Sequence, residues 1–321
     1  MVDLIFSFSV TLFCLFVLLK TKLRFLAIDQ PNERSLHTTI TPRTGGLAIM
    51  AGILLTWLFI GVTYEWIILP LVLVAVSLID DIRGLKARWR FLAQFLVCMA
   101  FLALHPHDIA VWMMPIVLLA MVWMVNLYNF MDGSDGLAGG MAVIGFGAYA
   151  GAAYLGGYPD MFVVCATISG ACLAFLIFNF HPAKIFMGDS GSIPLGFLAA
   201  ALGIWGWQQT LWPVWFPILV FSPFIMDATM TLMKRLLRGE KVWLAHKSHY
   251  YQRLVQMGWG HRKTAITHYI LMLFASISAI VMMQYWADWV FLMLGLWLFI
   301  YIILMVLIDI AWSRHEKPKH S

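Results

Sequence analysis

The chain has 321 residues, 62% of them hydrophobic and only 12% charged, with a mean hydropathy of +0.85 and a formal net charge of +5. Soluble globular chains carry about 45–50% apolar and about 25% charged residues, so a soluble enzyme is excluded. A crossing helix needs roughly 20 apolar residues, so eleven would take about 220 positions, close to what the hydrophobic fraction supplies.

Apolar runs fall, in chain order, near residues 4–19, 45–64, 66–79, 91–104, 109–130, 137–155, 161–180, 193–207, 211–233, 264–283 and 289–310. No small-residue cleavage site follows the first run, and Lys20, Lys22 and Arg24 close it, which predicts a retained helix rather than a signal peptide. The expected fold class is all-α: a polytopic integral membrane protein of about 11 transmembrane helices, in a single domain over 1–321. An odd number of crossings puts the termini on opposite sides. With that alternation, segments 20–43, 80–90, 131–136, 181–189, 234–263 and the tail from 312 share one face and hold all 21 Lys and Arg. The opposite face keeps only short turns with Asp3, Glu65, Asp108, Asp160 and Asp288. The positive-inside rule makes the loaded face cytoplasmic, with the N-terminus outside and the C-terminus inside. Net charge then reflects orientation, and no nucleic-acid partner is needed to explain it. Cys14, Cys98, Cys165 and Cys172 sit in apolar runs without ligand spacing, which suggests neither a disulfide framework nor a zinc site.

Ionisable groups near hydrocarbon are costly and tend to be functional. The first such cluster is Asp80-Asp81, ending the third run, with Arg83, Lys86 and Arg88 beyond it. Adjacent helical residues point about 100° apart, so the pair divides its duties. In NLYNFMDGSDGLAGG, Asn126, Asn129, Asp132 and Asp135 recur at a spacing of three, one face of a helix, while Gly133 and Gly136 let the chain leave helical geometry. Two carboxylates without a local cation point to a metal or to sugar hydroxyls; a solvated turn with Asx caps is the structural alternative. In FNFHPAKIFMGDSGS, Asn179, His181 and Lys184 precede Asp189, which opens a helix. That residue serves either as a helix cap or as a carboxylate for a Mg2+-bound phosphate. Phe186 is core, anchor or a stacking surface for a base. The 234–263 segment places His246, His249 and Arg253 at i, i+3, i+7, a shared helical face suited to phosphate; a basic helix lying on anionic lipid is the alternative. Asp227 lies about 10 Å inside the preceding run, where Lys234 is a candidate partner. Arg34, His37, Arg43 and the Gly45-Gly46 helix entry complete the face.

All these groups sit at one boundary. A transporter would place polar or broken helices near the middle of the bilayer. Acids together with Lys and Arg at a single face suit Mg2+-dependent diphosphate chemistry between a soluble donor and a bilayer-held acceptor. Transport of a lipid-linked sugar or anion is the alternative function, and a non-catalytic assembly partner a third.

The order DD, NxxNFMDGxDGLAGG, FNxxPAKIFMGDSGS and a histidine-rich basic loop resembles the polyprenyl-phosphate N-acetylhexosamine-1-phosphate transferase family, which includes the phospho-MurNAc-pentapeptide translocases. The loop HKSHYYQR, with PNERSLH and TPRTGG, looks more like the enzymes that initiate O-antigen or related surface polysaccharides, since the consecutive histidine triplet of the peptidoglycan enzymes is missing. The resemblance implies transfer of a sugar 1-phosphate from a UDP-N-acetylhexosamine to undecaprenyl phosphate at the bacterial inner membrane, releasing UMP. It implies Asp189 as the ligand of Mg2+, with Mn2+ as a substitute, and Asp80 as base or orienting group with Asp81 beside it. Asn129, Asp132 and Asp135 would line the nucleotide-sugar site; Asn179 and Phe186 would meet the uracil, with Arg88 covering it. Arg43, His246, His249 and Arg253 would hold phosphate or sugar. Direct attack by the lipid phosphate and a two-step route through an aspartyl phosphate both remain open, and the resemblance allows a homodimer.

Overall fold

A computed structural model describes residues 1–31, 36, 39–105, 109–242, 244 and 246–316. Arg34, His37 and Asp108 lie outside them. The chain is an all-α polytopic membrane protein. Its helices are α1 (Val2–Lys20), α2 (Gly45–Ile60), α3 (Tyr64–Arg83), α4 (Ala87–Leu104), α5 (Met114–Phe130), α6 (Leu137–Leu155) and α7 (Pro159–Asn179). Then follow α8 (Asp189–Gln208), α9 (Trp215–Val220), α10 (Ser222–Leu237), the short α11 (Tyr250–Leu254), α12 (Gly260–Tyr285) and α13 (Val290–Glu316). Among the described residues eight helices are long and apolar enough to cross a bilayer, and α2 is a shorter apolar helix. A two-residue antiparallel pairing, β1 (Ile28–Asp29) with β2 (Thr41–Pro42), precedes α2.

The run at 211–233 is two helices, not one. Pro223 lacks the N–H that would continue the ladder, and Ser222 Oγ bonds Leu219 O at 2.6 Å and Tyr301 Oη at 2.5 Å at the break. Helix α8 is the central stave, packed against α5 and α3, while α6 and α7 form a second tight pair. Little hydrophobic force acts between helices in lipid, so close backbone approach through small residues carries the packing. A side chain at Gly196 would come within 2.9 Å of Val125 Cα on α5. One at Gly46 would overlap the backbone nitrogen of Gly191, so the first turns of α2 and α8 touch directly. Two buried polar contacts tie α1 and α2 to α7: Ser7 Oγ donates to Thr167 O, and Trp57 Nε1 donates to Thr167 Oγ1, both at 2.9 Å.

Candidate active site

Helix ends converge at one end of the bundle, and the entry to α2 is seated on the segment entering α8. Phe186 N donates to Pro42 O (2.8 Å), Gly45 N to Phe186 O (2.9 Å) and Gly46 N to Met187 O (2.8 Å), which seats the entry to α2 on residues 186–188. Gly188, at φ +71°, takes the left-handed conformation that lets the chain turn into α8, and a Cβ there would meet Arg43 O at 2.5 Å. Gly188 is the cap, so Asp189 is the first helical residue and its carboxylate is free to face outward from the turn rather than cap it.

That carboxylate is bracketed by two guanidiniums. Arg43 Nη2 lies 3.4 Å from Asp189 Oδ1 and 3.0 Å from Asp81 Oδ1; Arg90 Nη1 lies 3.1 Å from Asp189 Oδ2 and 2.8 Å from Asp80 Oδ2. Asp80 Oδ1 also accepts from Leu85 N at 2.6 Å. Both of its oxygens are therefore engaged. Asp81 points inward, its side chain 1% exposed, and its Oδ2 accepts from Ser190 N at 3.3 Å. The two adjacent acids divide their duties as expected, one toward each arginine. Burial, and then the charge of Asp189, raise the Asp132 carboxyl well above the usual carboxylate range against the pull of Arg43.

Asp132, Asp189, Arg43, Asn129, Asp135, Asn179 and Phe186 line one polar cavity of about 280 Å³, together with Asp29, Ser134 and His261. Asn129 Oδ1 accepts from Ser192 Oγ at 2.7 Å, tying the end of α5 to α8. Asn179 is buried: its Oδ1 accepts from Gly136 N and its Nδ2 donates to Ile185 O, both at 3.0 Å, so the amide joins the 131–136 and 181–189 segments. Asp135 Oδ2 meets His181 Nδ1 at 2.7 Å and accepts from Ala183 N at 3.2 Å. His261 Nδ1 faces Ser134 Oγ at 2.9 Å and accepts from Asp135 N at 3.4 Å, leaving Nε2 to donate to Leu36 O at 3.2 Å.

Several expected site residues are not brought into this cavity. Arg88 is exposed, its guanidinium 5.3 Å from the Trp89 ring, because the buried face of α4 carries Gln94, Cys98 and Phe101. Arg90 shares that face one turn earlier and enters the site in its place. Asn126 turns to Gln94 Oε1 (2.8 Å), since the helix ends at Phe130 and the spacing of three does not continue as one face. His246, His249 and Arg253 do not share a helical face either: His246 precedes α11, His249 caps it, and only Arg253 lies within it. Arg253 is buried and its Nη1 donates to Asp309 of α13 at 2.8 Å. Lys234 pairs with Asp309 as well, not with Asp227. Asp227 instead accepts from the backbone N–H groups of Tyr250 and Tyr251, both at 2.9 Å, and lies 3.3 Å from His249 Nδ1.

A second, mostly apolar groove of about 580 Å³ runs along α4, α5 and α10. Leu119, Val122, Trp123 and Leu232 form its apolar wall, and Arg90, Asn126, His246 and His249 lie at its polar end. Asn129 lines both the groove and the polar cavity. Arg90, Asp29 and His261 are not singled out by the sequence. Only Arg90 left a signal there, four residues before Gln94 on the buried face of α4.

Four carboxylates, Asp80, Asp81, Asp132 and Asp189, crowd around two guanidiniums, and the raised proton affinity of Asp132 reflects the cost of ionising all four without a further cation. Asp81 Oδ1, fully buried, has the Arg43 charge nearby but no hydrogen-bond donor in good geometry. Among the described residues no three His, Cys, Asp or Glu side chains are gathered closely enough to hold an ion by themselves. Mg2+ characteristically takes one or two carboxylates and completes its shell with water and substrate phosphate oxygens, so this crowded oxygen donor set fits that ion.

The cluster of acids and arginines thus sits at helix ends between a polar cavity and a mostly apolar groove, in a protein built of helices long and apolar enough to cross a bilayer. Residues 63–207 match the sequence profile of Glycosyl transferase family 4. The probable undecaprenyl-phosphate N-acetylglucosaminyl 1-phosphate transferase of Bacillus subtilis is 31% identical over 344 residues, covering 99% of this chain and 95% of that protein. The decaprenyl-phosphate N-acetylglucosaminephosphotransferase of Mycobacterium tuberculosis is 32% identical over 301 residues, covering 77% of this chain and 73% of that one. The phospho-N-acetylmuramoyl-pentapeptide-transferase of Halalkalibacterium halodurans is 29% identical over 274 residues, covering 74% and 82%. The chain belongs to glycosyltransferase family 4 and, within it, to the polyprenyl-phosphate N-acetylhexosamine-1-phosphate transferases.

Proposed function

We propose that this chain transfers an N-acetylhexosamine 1-phosphate from a UDP-sugar to undecaprenyl phosphate, giving the lipid-linked diphosphate sugar and UMP. The observation that carries the reading is the position of Asn129, shared by the polar cavity and the apolar groove. A water-soluble donor in the first and a lipid phosphate in the second would meet there, beside Arg90. The Bacillus subtilis and Mycobacterium tuberculosis relatives are, by name, transferases of undecaprenyl and decaprenyl phosphate, which supports the same class of acceptor here.

In this scheme an oxygen of the lipid phosphate attacks the sugar-linked phosphorus of the donor. The bond from that phosphorus to the bridging oxygen breaks, and the oxygen leaves with UMP. Arg90, held between Asp80 and Asp189, is placed to receive the lipid phosphate; Arg43, between Asp81 and Asp189, faces the donor diphosphate. Asp80, bonded to Arg90, orients the lipid phosphate, which attacks as its dianion and so sheds no proton in the step. Direct attack is favoured over a covalent aspartyl phosphate because both oxygens of Asp80 already accept hydrogen bonds. Asp189, with Asp132 beside it in the cavity, would hold Mg2+, or Mn2+ in its place, and the ion would neutralise charge developing on the diphosphate. Phe186 and Asp135 in the cavity wall are suited to the nucleoside.

We place the protein in the cytoplasmic membrane as a single catalytic domain of eleven crossings, N-terminus outside and the site facing the cytoplasm. Eight long apolar helices, with α2, α3 and the broken α9–α10 as the remaining spans, support this count. The role assigned is initiation of an O-antigen or related surface polysaccharide. The test is UMP release by purified protein with undecaprenyl phosphate and a panel of UDP-N-acetyl sugars. Release that requires both lipid and Mg2+, and is lost in Asp189→Asn, is expected. Absence of release from every donor by folded protein would overturn the reading in favour of transport.

A further inference from the structure

Where α1 ends, a turn of 3₁₀ helix (Lys22–Phe25) and the segment before α8 enclose a hollow of about 600 Å³ that takes no part in the site above. Its lining joins apolar side chains, among them Phe16, Leu19 and Phe178, to four cations and no carboxylate. The cations are Lys20, Lys22, Arg24 and Lys184. Among the described residues none of the four makes an ion pair. Two rest on rings instead: Lys20 Nζ is 5.9 Å from the Phe16 centroid, and the Arg24 guanidinium carbon is 4.5 Å from that of Phe25.

Position and chemistry together restrict the occupant. Helix α1 is a lipid-facing crossing helix with Lys20 in its last turn, so the hollow sits where hydrocarbon gives way to the basic end of the bundle. Cations left without acids and backed by apolar rings match an amphiphile that carries a phosphate head and an acyl chain. Each Lys or Arg near a membrane surface contributes about 1 kcal/mol toward anionic lipid. We propose that this hollow is a binding site for an anionic phospholipid of the surrounding leaflet, with the phosphodiester among Lys22, Arg24 and Lys184 and an acyl chain along Phe16 and Leu19. The site is separate from the groove along α4, α5 and α10, and does not depend on what reaction the protein performs. A bound lipid would tie the end of α1 to two segments that shape the polar cavity. Arg24 and Phe25 lead into β1, and Lys184, whose backbone N–H bonds Phe178 O at 2.8 Å, lies shortly before Asp189.

The test is native mass spectrometry of the full chain in neutral detergent with equal amounts of phosphatidylglycerol and phosphatidylcholine, counting retained lipid. The unaltered protein is expected to retain phosphatidylglycerol at least about 10-fold better. The triple variant Lys22→Gln/Arg24→Gln/Lys184→Gln should weaken its binding about 100-fold, near five-fold per charge. Lys20 is kept in that variant as the basic flank of α1. A matched control, Arg238→Gln/Lys241→Gln/Lys263→Gln, should leave retention unchanged. Should the first triple variant fail to fold, Lys184→Gln alone is read for a five-fold loss. Equal retention of the two lipids by the unaltered protein, or equal losses in the two triple variants, would overturn the proposal in favour of diffuse surface charge.

Discussion

Replacing Arg90 by Gln separates the geometry of this site from the order of residues in its motifs. Arg90 Nη1 makes two charge-assisted hydrogen bonds, to Asp80 at 2.8 Å and to Asp189 at 3.1 Å. Such bonds contribute about 1.5–3 kcal/mol each. The Arg90 side chain is 34% exposed, so the lower figure applies and the pair sums to about 3 kcal/mol. If that ordering serves the transition state, Arg90→Gln lowers turnover by roughly 10²-fold, and Arg90→Lys recovers part of the loss, because both bonds come from the one nitrogen Nη1 and an ammonium carries three donors. Arg88→Gln, two residues away but exposed over Trp89, should change the rate by less than about two-fold, as exposed charges do. The assay is UMP release, with thermal unfolding in detergent to confirm that both proteins are folded. An equal loss in Arg88→Gln, or a fully active Arg90→Gln, would refute the placement of Arg90 at the reacting phosphates.

At Gly46, an alanine must push against the Gly191 backbone; a destabilisation of about 1–3 kcal/mol is expected, visible as a lower Tm, and an unchanged Tm would show that the two helix starts are not in contact. Arg253→Ala and Asp309→Ala should each weaken the docking of α13 and combine non-additively in the double variant, whereas an Arg253 that bound substrate phosphate would lose far more activity than Asp309→Ala. Removing the carboxylate that accepts from the first two N–H groups of α11, by Asp227→Ala, should cost about 1–2 kcal/mol of stability and lower UMP release by loosening the 246–254 segment; full activity would contradict this. His246 is pushed down to about 4, chiefly by burial and then by His249, and its Nδ1 accepts from Ser248. Because the unfolded chain binds that proton near pH 6.5 and the folded one only near pH 4, stability is fully present above pH 6.5 and declines between the two values. His246→Gln should therefore flatten the fall in Tm over that range, and an undiminished slope would assign the loss to other groups.

The helices were legible because their signal is composition: each of the eleven apolar runs contains a helix, and among the described residues eight helices are long and apolar enough to cross a bilayer. What composition cannot show is the proline break at Ser222, since Pro223 lies in an otherwise continuous apolar stretch. Within the site, the cluster Asp80, Asp81, Asn129, Asp132, Asp189 could be read from carboxylates and amides at the ends of hydrophobic segments, and these do gather. Charges on the loops could not be assigned in the same way. Arg88 and Arg90 are equally basic in the sequence, and only the helical register set by Gln94 and Cys98 separates them. Arg253 looked like a phosphate ligand because its partner, Asp309, lies far along the chain and on another helix. His261 enters from the start of α12 with no local pattern to mark it, and its contacts with Ser134 and Leu36 are long-range.

The groove that ends at Asn129 and Arg90 is walled by side chains of crossing helices, among them Leu119, which is 64% exposed to the lipid-facing surface. An acceptor entering through it arrives by lateral diffusion in two dimensions, and its supply is a surface density instead of a volume concentration. On the proposed reading, adding inert lipid to proteoliposomes should slow the reaction even when every bulk concentration is held constant, while diluting the buffer around intact vesicles should act on the sugar nucleotide alone. The two substrates would thus be controlled by independent variables, one set by membrane composition and the other by the aqueous phase.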